Sequence, residues 1–549
     1  MSVPTRDTNR TNDRDAGITV WTVLAALLRR RAVVITASVV GCCALFLLYL
    51  HQSRTQAVDA DGASNVLQAW DMLHGNLLLR DWTVSDVSFY TTELPQYMLL
   101  AALRGLHPDV VHLGGAMTYV LLILFAALLA KGPATGRDAV VRVLATAGIM
   151  LAPQLGVGTY VLLLNPAHLG TAVPVLVAWL VLDRARAHWS IPVLMALLLA
   201  WGEVADPLVT VIGAAPLALV AVVRLLQNRG PRWFHAALAA AAAGSVALST
   251  LGLHIIRGLG GFAVLRPVTD FATRAEIRAD LHSSFEDILL LFGADLYRTP
   301  PQSDFFGQPA NPHGGLDVVF AVAHLIGLGV VALAVCAAIR RFVPRADLIE
   351  QLLVTAILID LVAFMVRTRP DQNLTNSRQI VVILPFGAVL AGRFLARVVA
   401  RRRQPRRLLA PLAVVLFVYA GGLLHNLQGA QVPAQGQAVA DWLELHQLRY
   451  GIAGHWAANS ITVASGNRVQ VRSVSPAGTA VVPRAWESKS SWYLPQDHRA
   501  TFAVVDNLNA SYASYLTEAE LKSAFGAPAQ IHRVGAYTIY VWHRNLLEP

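Results

Sequence analysis

Four acidic residues sit where long apolar runs begin or end. Asp59 and Asp61 follow the run 32–50, while Glu203 and Asp206, in Gly202-Glu203-Val204-Ala205-Asp206-Pro207, separate the runs 190–202 and 208–226. A charge beside hydrocarbon is costly, so acids in such places are functional candidates by default. A carboxylate there offers general-base chemistry toward a hydroxyl, or a ligand for a cation. Structural uses compete: Asp61 is placed to cap the helix that follows, with Asp59 as solvated loop, and Asp206 before Pro207 reads as a helix N-cap. Asp71, Asp81, Asp86 and Glu93 continue the first acidic stretch, with Trp82, Phe89, Tyr90 and Tyr97 among them. Aromatics at a membrane boundary are ordinarily an interfacial belt, and no catalytic role follows for these four. Arg378, in Ser377-Arg378-Gln379-Ile380-Val381-Val382-Ile383-Leu384-Pro385, opens the run 379–399. Its planar fork suits a phosphate, although an arginine at a span end more often snorkels. Arg367 and Arg369 are alternatives. His168, in Asn165-Pro166-Ala167-His168, opens the run 167–182.

The elements that must position these residues are membrane spans. Of the 549 residues, 55% are hydrophobic and 14% charged, and the mean hydropathy is +0.50. Soluble domains average about 25% charged residues, so a soluble enzyme with one anchor is excluded, as is a disordered chain. Eleven apolar runs of roughly spanning length lie near 32–50, 110–130, 139–155, 167–182, 190–202, 208–226, 234–256, 317–339, 347–366, 379–399 and 408–425. Pro153 and Pro192 interrupt the third and fifth. Arginine collects at 29–31, at 137 and 142 beside Lys131, at 184 and 186, at 224–232, at 340–345 and at 397–407. With eleven spans every cluster falls on one side, which by the positive-inside rule is the cytoplasm. The N-terminus is then cytoplasmic and the C-terminus extracytoplasmic. The net charge of +10 is therefore an orientation signal, and nucleic acid is not expected as a partner. Cys42, Cys43 and Cys336 lie inside apolar runs, too few for a disulfide scaffold.

The chain divides into a cytoplasmic, unstructured N-terminus and basic flank (1–31), a membrane domain (32–428) with outer loops 51–96 and 257–316, and a tail (429–549). Residues 1–18 are polar and aperiodic. Val39-Val40-Gly41-Cys42 matches a lipoprotein box, but the apolar run continues through Leu50, so the first span reads as a signal anchor. The tail carries five of the twelve tryptophans, β-branched runs at 460–465, 468–474, 501–505 and 537–542, and a helix from Thr517 to Phe525 opened by a Thr517/Glu520 capping box. It reads as a small extracytoplasmic α/β domain. From Asp61 the first outer loop forms an amphipathic helix, with Val66, Leu67, Trp70 and Leu73 apolar, Asp61, Asn65 and Gln68 polar, and Gly75 at its end.

Asp61-Gly62 leading to His74-Gly75-Asn76, with Arg378 to Pro385, resembles the GT-C superfamily of multi-span glycosyltransferases. In outline the likeness is closest to the protein O-mannosyltransferases, the lipid A aminoarabinose transferase and actinobacterial arabinosyl- or mannosyltransferases. It implies an all-α membrane domain of about eleven helices with the α/β domain attached outside. It also implies transfer of a sugar from a polyprenyl-phosphate carrier to an envelope glycan, lipid or protein in an inverting displacement. On that reading Asp61 is the general base, Asp59 the alternative, Arg378 the donor-phosphate ligand, and Glu93, Glu203, Asp206 and His168 further outer-face candidates. Where the family has Asp-Glu this chain has Asp59-Ala60-Asp61-Gly62, and Gln379 stands where Tyr is common. The family also leaves room for a divalent cation (Mg, Mn or Ca), for which His168, Asp61 and Asp206 are the candidate ligands, their spacing undiagnostic. Membrane lipid is the remaining expected partner. A transporter or lipid flippase is the rival class, with Asp360 in the ninth run and His254 in the seventh as a thin proton relay. Walker A, Ser/His/Asp and zinc signatures are absent from the sequence.

Overall fold

The computed structural model describes residues 12–164, 168–265, 270–296, 315–343, 345–367, 374–401, 406–507 and 516–548. Each of the eleven apolar runs contains a helix. Among the described residues seven helices are long and apolar enough to cross a membrane: Ala32–Ser53, Asp109–Lys131, Arg232–Gly258, Gly315–Arg341, Leu348–Val366, Ile383–Ala400 and Leu409–Asn426. Ser190–Ala205 and Thr210–Leu226 are shorter apolar helices, and Gly136–Ile149 and Ala172–Arg184 complete the set. The first helix begins at Asn12, so residues 12–18 are not the unstructured stretch expected; extending an existing helix by a turn avoids the cost of nucleating one. Residues 1–11 lie outside the described residues.

At the arginine-rich end the bundle is tied by ion pairs centred on two buried groups, Arg393 and Glu350. Arg393 reaches Asp183 at 3.1 Å and Asp347 at 3.2 Å, and donates to the Leu129 carbonyl at 2.7 Å. Glu350 is shared by Arg341 and Arg397. These arginines therefore hold helices together.

Among the described residues nine strands form two sheets: β1 (Trp82–Val84), β2 (Ala263–Val264), β3 (Tyr450–Ala453), β4 (Gln470–Ala477), β5 (Ala480–Pro483), β6 (Ser488–Lys489), β7 (Phe502–Asp506), β8 (Gln530–Val534) and β9 (Tyr537–Val541). The tail sheet has order β5-β4-β3-β7-β9-β8, with β4, β3 and β7 parallel and the remaining pairs antiparallel. Alternation along each strand feeds two cores, as the period of two demands. Ala453, Phe502 and Val504 face the helices Gln437–Leu445 and His455–Ala464, whereas Ile452, Ala503 and Val505 face the helix Glu518–Phe525. The capping box at Thr517 and Glu520 is present. The run 460–465 is helical rather than extended, because it lies in the crossover His455–Ala464 between parallel β3 and β4. Tertiary packing overrides its β-branched preference.

The second sheet, β2-β1-β6, joins the first outer loop, the second outer loop and the tail. Thr83 pairs with both Ala263 and Ser488. Beside it Asp71 receives Lys489 at 3.1 Å and the Trp82 indole N–H at 2.8 Å. The tail is thus docked on the loops through backbone pairing and a partly buried ion pair. The aromatics expected as an interfacial belt lie inside this assembly: Trp82, Phe89 and Tyr97 are buried and Tyr90 half-buried, with Trp82 edge-on to Trp492 at 4.8 Å.

Candidate active site

The first outer helix spans Ala60–Leu73, with Asp59 at its N-cap accepting from the Gly62 N–H at 2.7 Å. The roles expected of the two aspartates are therefore exchanged. Asp59 is 1% exposed and its other oxygen accepts from the Tyr160 hydroxyl at 2.5 Å; it is neither solvated nor loop. Asp61 is the second residue of the helix, in its first turn, with its side chain 21% exposed. Gly62 is needed for closeness: a Cβ there would stand 3.1 Å from Val111 and 3.2 Å from Asp59 Oδ1. Gly75, at φ 101, follows the helix end as expected. The polar face fails as a solvent face, since Asn65 and Gln68 are both buried. The tail helix His455–Ala464 covers it, with Asn459 donating to the Ser64 hydroxyl at 2.7 Å.

That same tail helix brings a residue to Asp61. His455 follows the C-terminal end of β3, and the chain continues to β4 on one side and later to β7 on the other. Such a switch point is where open parallel sheets bind ligands. Its Nε2 lies 3.1 Å from Asp61 Oδ1, and its Nδ1 is buried without a hydrogen bond. Glu487, just before β6, completes a group: ligand atoms of Asp61, His455 and Glu487 all lie within 4.8 Å of one another. Glu487 is buried and its Oε2 makes no hydrogen bond. On the other side of Asp61, Arg378 Nη1 stands 3.9 Å from Oδ2.

The electrostatics follow from this crowding. Burial opposes charge on Asp61, but the His455 contact and then Arg378 and Arg484 outweigh it and hold the carboxyl below its usual range. Burial, followed by the negative Asp61, raises Asp59 to about 6. Burial and the same two carboxylates push Glu487 well above the usual range. Arg378 loses by burial yet is raised on balance by Tyr160, Asp61, Asp59 and Asp86. It is a fixed cation among acids.

The remaining candidates form a second cluster. His168 Nδ1 meets Asp206 Oδ2 at 2.7 Å, Thr171 donates to the same oxygen, and the Leu208 N–H donates to Oδ1 at 2.8 Å. Burial disfavours charge on both partners, and their contact outweighs it, raising His168 and lowering Asp206. Glu203 accepts from Ser245 and Ser249, each at 3.1 Å. Glu93 is buried against Gly170 with Thr92 on one oxygen, and burial raises it to about 7. Asp86, His168, Glu203, Asp206, Asp360, Arg367 and Gln379 line one cavity of about 590 Å³. Asp360 is thus not isolated, whereas His254 is exposed and bonded only to the Thr250 carbonyl. The expected cation set does not assemble. His168 and Asp206 meet each other away from Asp61, and among the described residues Asp61, His455 and Glu487 are the group whose ligand atoms lie close enough together to hold an ion. Arg369 and Asn165 to Ala167 lie outside the described residues.

His455, Glu487, Arg484 and Tyr160 were missed by reading the sequence. The one available signal was Gly454-His455 between a short apolar run and a helix, a strand-to-helix turn concealed by the brevity of β3.

No protein-family model and no curated protein sequence matches the chain. Among solved structures it is similar to ArnT from Cupriavidus metallidurans bound to undecaprenyl phosphate, with a TM-score of 0.53 at 14% identity, over 94% of this chain and 99% of that one. The chain shares the fold of that protein. The apo oligosaccharyltransferase of Archaeoglobus fulgidus is a weaker likeness, with a TM-score of 0.45 at 12% identity, covering 88% of this chain and 71% of that one. The likeness to the first of these extends over the tail domain as well as the membrane domain, since it covers 94% of the chain.

Proposed function

We propose that this chain is a glycosyltransferase of the extracytoplasmic membrane face, moving a sugar from a polyprenyl-phosphate carrier to a hydroxyl of an envelope glycan, lipid or protein. The observation that carries the reading is the meeting of Asp61 with Arg378 at 3.9 Å, a partly exposed carboxylate against a cation ringed by acids, in a chain folded like an undecaprenyl-phosphate-bound protein. Asp61 accepts the acceptor's proton as its oxygen attacks the anomeric carbon. The bond from that carbon to the phosphate oxygen breaks, and its electron pair leaves with the lipid phosphate. Arg378 neutralises that charge, typically a large catalytic contribution. One displacement inverts the anomeric centre. Asp59, both of whose oxygens are engaged, fixes the helix that carries Asp61. The 590 Å³ cavity is of sugar-binding size, and its carboxylates suit sugar hydroxyls. Both hexosyl donors, such as mannosyl, and pentosyl donors, such as arabinosyl, belong in the test.

Membranes holding wild type or Asp61→Asn are incubated with radiolabelled polyprenyl-phosphate sugars, and label passing to envelope glycan, lipid or protein is counted. A fall of about 10² to 10⁴ in the variant, at equal protein level, is the result expected of a lost general base. Equal transfer by both removes Asp61 from the chemistry. A second reading, transport, draws support from Asp360, whose buried Oδ2 makes no hydrogen bond and which shares a cavity with Glu203 and Asp206. Solute counterflow in proteoliposomes, abolished by Asp360→Asn, would favour it.

A further inference from the structure

We propose that Asp61, His455 and Glu487 form a divalent-cation site that the membrane domain and the tail domain build jointly. The inference goes beyond the transferase reading and does not depend on it. One imidazole nitrogen and two carboxylates are a donor set for Zn or Mn, since imidazole suits transition metals and an all-oxygen cage suits Mg or Ca. The geometry is close to that needed: ligand atoms each about 2.1 Å from one ion lie about 3.3 Å apart, and Nε2 of His455 is already 3.1 Å from Asp61 Oδ1. Glu487 has a carboxylate oxygen within 4.8 Å of both.

The independent observation is Glu487 itself. It is 2% exposed, and its Oε2 makes no hydrogen bond, which leaves a buried acceptor unsatisfied. Its backbone is held at φ 51 immediately before β6, whose Ser488 pairs with Thr83 of the first outer loop. Ser64 and Ser85 act on the Glu487 carboxyl, yet the fold leaves one of its oxygens unsatisfied and presses it toward a second acid. Asp59, Asp61 and Glu487 crowd one another, with Arg378 and Arg484 as the cations acting on Asp61 beside His455. A divalent cation would balance that excess of carboxylate. Asp61 Oδ2, on the Arg378 side, stays available to the reaction. The ion would also clamp the tail domain to the juxtamembrane helix, because two of its ligands come from the tail.

The test uses the full chain in detergent, stripped with a chelator and then offered Zn²⁺ or Mn²⁺ separately. Bound metal per chain is measured, together with the absorption spectrum of the Co²⁺-loaded protein and the unfolding temperature with and without metal. One ion per chain and a higher unfolding temperature are expected. Glu487→Gln and His455→Gln should each weaken binding by more than about tenfold, the loss seen even for outer-shell partners, while Asp206→Asn leaves it intact. Each variant is compared with the stripped wild type, so a folding defect shows as a shift already present without metal. Should His455→Gln fail to fold, Glu487→Gln carries the test. No stoichiometric ion, or an ion indifferent to the folded variants, overturns the proposal. Because binding is read without turnover, its failure is distinct from failure of transfer.

Discussion

Replacing the two loop aspartates in turn separates scaffold from chemistry. Asp59 caps the first outer helix and accepts the Tyr160 hydroxyl. Asp59→Ala removes the cap, worth about 1 kcal/mol, and breaks a buried hydrogen bond, worth about 1–3 kcal/mol when a partner is lost. A stability loss of about 2–4 kcal/mol is expected. Asp59→Asn keeps the cap through its carbonyl and turns its amide toward a hydroxyl that accepts as well as donates, so its loss should stay below about 1 kcal/mol. Asp61 caps nothing and is partly exposed. Asp61→Asn should therefore unfold within about 1 kcal/mol of wild type yet lose transfer by about 10² to 10⁴. The assay pairs denaturant unfolding in detergent with sugar transfer per folded molecule. Adding Tyr160→Phe to Asp59→Ala should cost less than the two separately, by about 0.5–3 kcal/mol, because they share one bond. The reasoning is refuted if Asp59→Asn loses transfer as Asp61→Asn does while keeping its stability. It is equally refuted if Asp61→Asn transfers normally.

Other outcomes can be checked alongside. Arg378→Ala should reduce transfer by about 10² to 10³, and Arg378→Lys should recover only part of it, since a point charge replaces a bidentate fork; steady-state kinetics on a polyprenyl-phosphate donor measures both. Glu93 is raised by burial from 4.5 to about 7, with Asp206 adding to the rise and His168 opposing it. A carboxyl raised on folding stabilises the fold while protonated, so its contribution is complete below about pH 4.5 and lost as pH rises through 7, a swing of about 3 kcal/mol. Glu93→Gln should flatten that part of the unfolding profile, and an unchanged slope would count against it. Asp71→Ala removes the partner of Lys489 and of the Trp82 indole, and limited proteolysis should then release the tail domain faster. Arg393→Met leaves Asp183 and Asp347 without their buried cation, a loss of about 3–5 kcal/mol that should appear as reduced yield of folded protein.

Hydrophobicity along the chain carries the membrane domain openly, because each span must satisfy its backbone within itself and so writes its own boundaries. The eleven runs, the Gly75 stop, the Thr517 cap and the strands at 501–505 and 537–542 are all legible for that local reason. Asp61 and Arg378 were legible as types at span ends. Their meeting was not, since 317 positions separate them and only the packed bundle sets the 3.9 Å contact. The division of labour between Asp59 and Asp61 turned on a shift of the helix start, from Asp61 to Ala60, which is finer than residue patterns resolve. The polar face of that helix pointed to solvent in the sequence, and it is buried only because another domain lies on it.

The sequence by itself determined the solvent of this protein, the number of its apolar segments, the side on which its arginines gather and the presence of a folded tail. Those properties depend on composition and short-range period. Tertiary structure alone decided that the tail is part of the site. His455 and Glu487 reach Asp61 because a parallel β3–helix–β4 crossover and a two-residue register between β1 and β6 bring them there. Strand pairing between segments some four hundred residues apart leaves no periodic trace in any one of them, so the chemistry of the site became visible only after the chain had closed on itself.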